Sequence, residues 1–144
     1  MRECCFKINL SLEEAKKRYR EWSNEDVQFE IDEAGICMAD SIQISEAEEG
    51  WTYFIDFEGE AFFGLSREAW IKLAMDSSVI YAYYDENFNA ELVVIENGKL
   101  IREFARYEDE PDANADFGVL ACEESSAIDG WEDVADYIEQ ELII

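Results

Sequence analysis

A chain of 144 residues, 49% apolar and 14% aromatic, is long enough to bury a core of its own. It has one proline, Pro111, and no Ser/Gly-rich linker, so 1–144 reads as a single domain. Thirty-six Asp/Glu against eleven Lys/Arg give a formal net charge of −25, a surface that repels phosphate backbones and anionic lipid headgroups and so argues against nucleic-acid or membrane-surface binding.

In chain order, Cys4–Leu10 reads as a short strand. Ser11 with Glu14 is a capping-box signature, and Leu12, Ala15, Tyr19 and Trp22 place one apolar stripe on a helix over about 12–22. Lys16, Lys17, Arg18 and Arg20 are expected on its outward face. Val27, Phe29 and Ile31 alternate with polar residues, the pattern of a half-buried strand. Residues 32–50 read as acidic loop, with a short strand at Ile42–Ile44 as the most the pattern offers. Trp51–Phe57 predicts a strand with Trp51, Tyr53, Ile55 and Phe57 on one face. Gly59 is a turn candidate and Ala61–Gly64 a short partner strand.

Ser66 then caps a second helix over about 67–76, with Ala69, Trp70, Leu73 and Ala74 inward. Val79–Tyr84, Glu91–Glu96 and Lys99–Tyr107 are rich in β-branched and aromatic residues, and Asn97-Gly98 is a strong hairpin signal. They predict a three-strand meander over about 79–107. Gly118–Glu123 is a further strand candidate. Trp131, Val134, Ala135, Ile138 and Leu142 mark a C-terminal helix over about 130–142, with Asp129 as its cap. Two or three helices on a mostly antiparallel sheet make an α+β fold.

The absence of histidine removes Ser-His and Cys-His catalysis and the usual base near neutral pH. No glycine pattern forms a phosphate-binding loop. Carboxylate pairs such as Asp56 and Glu58 could act as acid and base, but a quarter of the chain is acidic and such pairs arise by chance. The expectation is therefore a protein that is not an enzyme and needs no cofactor. Asp85, Asn87, Asn89, Glu91 and Glu96 fall at positions 1, 3, 5, 7 and 12 of an EF-hand-like loop, and Asp112, Asn114, Asp116 and Glu123 repeat the 1, 3, 5, 12 spacing. Ala90 and Phe117 stand where the sharp turn needs glycine, so two polar turns are the simpler account. Cys4, Cys5, Cys37 and Cys122 form no C-x-x-C pair and read as reduced, mostly buried thiols. Met1-Arg2-Glu3 without an apolar run behind it reads as no signal peptide, which points to the cytoplasm.

The charge is uneven. Thirteen Asp/Glu and no Lys or Arg lie between Glu21 and Ser66, and the same holds from Tyr107 to Ile144. Segments this one-sided favour fast, salt-sensitive association with a basic protein. Tyrosines of the Tyr81–Tyr84 run, with Tyr107 ahead of Glu108-Asp109-Glu110, are suited to anchor such an interface. The four tryptophans, Trp22, Trp51, Trp70 and Trp131, each fit a core-facing stripe.

Three segments carry a resemblance: Gly50-Trp51-Thr52-Tyr53-Phe54, the aromatic-to-acidic Tyr81–Asn87, and Gly130–Ile138 at the closing helix. With them the chain resembles the small acidic immunity proteins of bacterial polymorphic and contact-dependent toxin systems. The resemblance covers about a third of the sequence. It implies a stoichiometric complex in which acidic residues occlude the active site of a basic, nuclease-like toxin domain. The residues expected to touch that partner are Glu108, Asp109, Glu110, Asp112 and Asp116, then Tyr83, Asp85, Glu86 and Tyr107. A nucleic-acid mimic, a calcium-binding module and a carboxylate-dependent hydrolase remain as alternatives.

Overall fold

The computed structural model describes residues 3–142. The alternating runs become nine strands of one sheet: β1 (Glu3–Ile8), β2 (Glu30–Ile31), β3 (Cys37–Ala39), β4 (Ile42–Glu46), β5 (Thr52–Asp56), β6 (Val79–Tyr84), β7 (Ala90–Glu96), β8 (Lys99–Arg106) and β9 (Ala115–Phe117). Their order is β2-β3-β4-β5-β1-β6-β7-β8-β9, and every neighbouring pair is antiparallel. Three helices complete an α+β fold: α1 (Leu12–Ser23), α2 (Arg67–Ala74) and α3 (Trp131–Tyr137), the last running into a π-helical turn at Ile138–Leu142. No described helix is long and apolar enough to cross a membrane.

Helices cover both faces of the sheet, so its central strands are buried on both sides and lose the simple inside-outside alternation. On the first face α1 and α2 close over Phe6, Phe54, Tyr81, Val93 and Ile95. Phe6 stacks on Phe54 with ring centroids 4.4 Å apart, and Trp70 of α2 stacks on Tyr81 at 4.2 Å. On the second face α3 and its π-helical turn pack Val134, Ile138 and Leu142 against Cys5, Ala82, Leu92 and Phe104. Tyr81, Tyr83 and Tyr84 are buried on one face or the other by these two layers.

Both predicted caps form: Ser11 Oγ accepts from Glu14 N and Ser66 Oγ from Ala69 N. The third helix is capped from within, because the Asp133 carboxylate, not Asp129, accepts from the N–H groups of Asp129 and Gly130. The basic face of α1 is only partly free. Arg18 Nη1 donates to the Leu73 and Ala74 carbonyls at 2.9 and 2.8 Å, satisfying the C-terminus of α2, while Lys16 and Arg20 lie over the Phe29 ring.

Several expectations are corrected. Val27 and Phe29 do pack against the core, but only Glu30–Ile31 pairs as a strand, since β3 is too short to extend the ladder. The supposed loop at 32–50 holds the β3–β4 hairpin, turning at Asp40 with φ 53°. In β5 the face shared by Tyr53 and Ile55 is opposite that of Phe54, and Thr52, Phe54 and Asp56 are the more deeply buried set. Trp51 lies under the Lys7 ammonium, outside the core. Ala61–Gly64 is a loop whose Phe62 plugs the core. The strand expected at Gly118–Glu123 falls instead at Ala115–Phe117, and residues 121–124 make a 3-10 turn.

Gly118 explains the shift. Its φ is +78°, and a Cβ there would sit 1.9 Å from the Ile101 carbonyl oxygen, so the chain bends away just after β9. Arg102, 1% exposed, then fastens this segment to the second face. Its guanidinium donates to Asp116 at 2.6 Å and Glu123 at 2.8 Å, and to the Phe117 and Ile128 carbonyls.

Candidate functional site

Two acidic segments meet at one end of the sheet. The 85–90 turn joins β6 to β7, and the 108–113 segment follows β8; the Glu108 N–H donates to Asn89 Oδ1 at 3.0 Å and ties them together.

The turn is built around Asp85, which is 5% exposed. Its carboxylate accepts from Tyr83 Oη at 2.6 Å, Asn87 N at 2.9 Å, Asn89 N at 3.2 Å and Asn89 Nδ2 at 3.1 Å. Desolvation works against the charge, but these hydrogen bonds outweigh it and hold the carboxyl below its ordinary value. Asp85 is the staple of its turn, and Tyr83, 3% exposed, is its donor. Neither side chain is presented to the surface.

One register step away, Glu91 is 4% exposed and serves as the hub of a second network. Tyr81 Oη donates to Oε1 at 2.6 Å, Tyr107 Oη donates to Oε2, and Gly64 N–H reaches both oxygens at 3.1–3.2 Å. Burial pushes the Glu91 carboxyl above its ordinary value, against the pull of those three donors. Tyr107 is therefore half-turned inward and anchors the start of the acidic segment. Its backbone N–H is held by Asn114 Oδ1 at 2.7 Å, closing the base of the loop.

Beyond that anchor the acids change character. Among the described residues, the side chains of Glu108, Asp109, Glu110 and Asp112 are exposed and make no hydrogen bond or ion pair. Asp109 and Glu110 edge a cleft of about 500 Å³ on the first face of the sheet. Its floor is Ala105, Ala113 and Ala115, and its far wall is the 63–66 loop with Arg67. Phe63, 38% exposed, meets Tyr107 edge-on with centroids 5.9 Å apart at 85°. Arg67 Nε and Nη2 both donate to Glu103 Oε1, and its guanidinium lies 5.1 Å from the Phe117 ring centroid.

Of the residues singled out from sequence, the structure brings Tyr107, Glu108, Asp109, Glu110 and Asp112 together, with Tyr83 and Asp85 behind them. Asp116 lies elsewhere: by register it points to the opposite face, where it pairs with Arg102. Glu86 belongs to the turn and is engaged in interactions of its own. Phe63, Leu65, Ala105, Ala113 and Ala115 carried no sequence signal, because small residues and a strandless loop look like filler until the fold sets them around a cleft.

In the two EF-hand-like spacings, Asp85, Glu91, Asp116 and Glu123 are turned to protein donors, while Glu96 and Asp112 are exposed. Asp85 and Glu91 are engaged as described, and Asp116 and Glu123 grip Arg102. Among the described residues no three Cys, Asp or Glu side chains stand together as a cation site. Of the carboxyls that line the cleft, Glu103 pairs with Arg67, while Asp109 and Glu110 are exposed. All four cysteines are free thiols, three buried and Cys122 exposed. No protein-family model, curated protein or solved structure matches the chain.

Proposed function

We propose that this chain is a binding protein of the immunity type, which occludes the positively charged active site of a toxin domain, and that it docks through the 108–112 loop and the cleft beside it. The observation that carries the reading is the unpartnered state of Glu108, Asp109, Glu110 and Asp112 next to the partly exposed rings of Phe63 and Tyr107. Unpaired carboxylates steer a cationic partner from a distance, and aromatic area beside them supplies the short-range contact that exposed charge pairs lack. A nuclease must carry a cationic groove for its phosphate substrate, so a negative, shape-matched lobe would enter that groove and exclude the substrate.

The reading expects a neighbouring gene encoding a basic toxin domain. Titrating that purified domain with this chain should give a 1:1 complex, loss of toxin activity and an affinity that falls steeply with salt. Replacing Asp109, Glu110 and Asp112 by alanine should weaken the complex at least about tenfold. A toxin domain that stays active in excess of this chain overturns the reading, as does a gene neighbourhood with no such domain.

A further inference from the structure

Building on the partner reading above, we infer that the cleft between the 63–67 segment and the 109–115 segment is a receptacle for a single arginine side chain of the basic partner. Ala105, Ala113 and Ala115 contribute methyl groups to its lining, against which the aliphatic stem of a long cationic side chain packs. Phe63 and Tyr107, set at 85° to each other, give the entering cation a ring face on one side. Asp109 and Glu110 line the same cleft, exposed and without a hydrogen-bond or ion-pair partner among the described residues, and carboxylates are the acceptors that a guanidinium fork bonds.

The chain itself demonstrates the chemistry one strand away. Arg67, part of the same wall, lies across the Phe117 ring with two of its donors on Glu103. A guanidinium held between carboxylate and ring is thus already present in the cleft's lining, its charge matched by Glu103, which leaves Asp109 and Glu110 for a second. The planar fork favours arginine over lysine, whose ammonium is a compact and more strongly hydrated charge. A cleft of about 500 Å³ admits one such side chain with its water, whereas a helix would need a long groove.

The test is a backbone-amide NMR titration of the intact protein with three capped tripeptides: Gly-Arg-Gly, Gly-Lys-Gly and Gly-citrulline-Gly. The expected result is saturable shifts confined to residues 63–67 and 109–115 with the arginine peptide, binding at least about threefold weaker with lysine, and none with uncharged citrulline. Ala113→Phe, which fills the cleft without changing charge, should abolish the shifts. Should that variant fold poorly, D109N combined with E110Q keeps the backbone and is expected to weaken binding by about tenfold or more. Shifts that spread over the acidic surface, equal for arginine and lysine and untouched by these variants, overturn the receptacle. That outcome would leave partner binding by diffuse charge intact, whereas failure of the toxin titration alone would overturn the immunity reading and not the cleft's preference.

Discussion

The 85–90 turn and the 108–112 loop touch each other, share an acidic composition, and use their carboxylates in opposite ways. In the turn, Asp85 is encircled by Tyr83, Asn87 and Asn89, and nearby Glu91 by Tyr81, Tyr107 and Gly64. In the loop, four carboxylates within five positions find no donor among the described residues. Part of the large negative charge is thus architecture, and part stands without a counter-group among the described residues. What separates the two is the supply of donors for each acid: the turn sets two carboxylates among tyrosine hydroxyls, asparagine amides and backbone N–H groups, and the loop sets four with none.

The strongest way to break this contrast is at Glu91. Glu91→Ala leaves the hydroxyls of Tyr81 and Tyr107 without their acceptor in a buried site, and a loss of about 3 kcal/mol is expected, read from the urea midpoint. A variant as stable as the parent would show that the buried network is not structural. Asp85→Ala should cost about 2 kcal/mol by melting its turn, with amide exchange rising at residues 86–89.

Acid sharpens the same point. Asp85 and Glu123 have lowered carboxyl values in the folded state, so the stability they contribute is present above their unfolded values of about 3.9 and 4.3 and fades as pH falls through the folded ones. Glu91 acts with the opposite sign, since its raised value means that the folded state takes up its proton first. Asp85→Asn should therefore flatten the acid limb of a stability–pH profile. An unchanged limb would remove Asp85 from that role.

The loop should behave differently. D109A, E110A and D112A together should shift stability by no more than about 0.5 kcal/mol, while weakening the proposed complex with a basic toxin domain. A large loss of stability would mean that these acids, too, are structural. The smallest effect is global: raising salt should raise the melting temperature by about 2–4 °C, because screening relieves the self-repulsion of a chain at −25.

Local signals were legible where they rest on chemistry within a few residues. The Ser11 and Ser66 caps and the Asn97-Gly98 hairpin all form as read; at the hairpin both residues have positive φ and Gly98 packs against the Met75 carbonyl, where a Cβ would come within 2.3 Å. Signals that depend on distant partners were not. Ile42 and Ile44 showed the core of β4, but Cys37 and Ala39 gave too faint an alternation to reveal β3, whose inward residues are small. In β5, Tyr53 and Ile55 do share a face, but Thr52, Phe54 and Asp56 between and beside them are the more deeply buried, because helices lie on both sides of the sheet and residues of either parity find a layer to enter. At the candidate site, the acids of 108–112 stood out by composition alone. The difference between Asp112 and Asp116 did not, because it is made by Arg102, which enters from a neighbouring strand. The cleft's alanine floor was invisible for the same reason.

The sheet tapers at both margins, to the two residues of β2 and the three of β9. Such stubs expose few unmatched amides, and at β2 Glu30 and Asp32 add negative charge. A foreign chain seeking to extend the ladder would gain only a few backbone hydrogen bonds against electrostatic opposition. Strand addition is thereby disfavoured at these margins, and concentrated solutions of the protein should resist fibril growth from either of them.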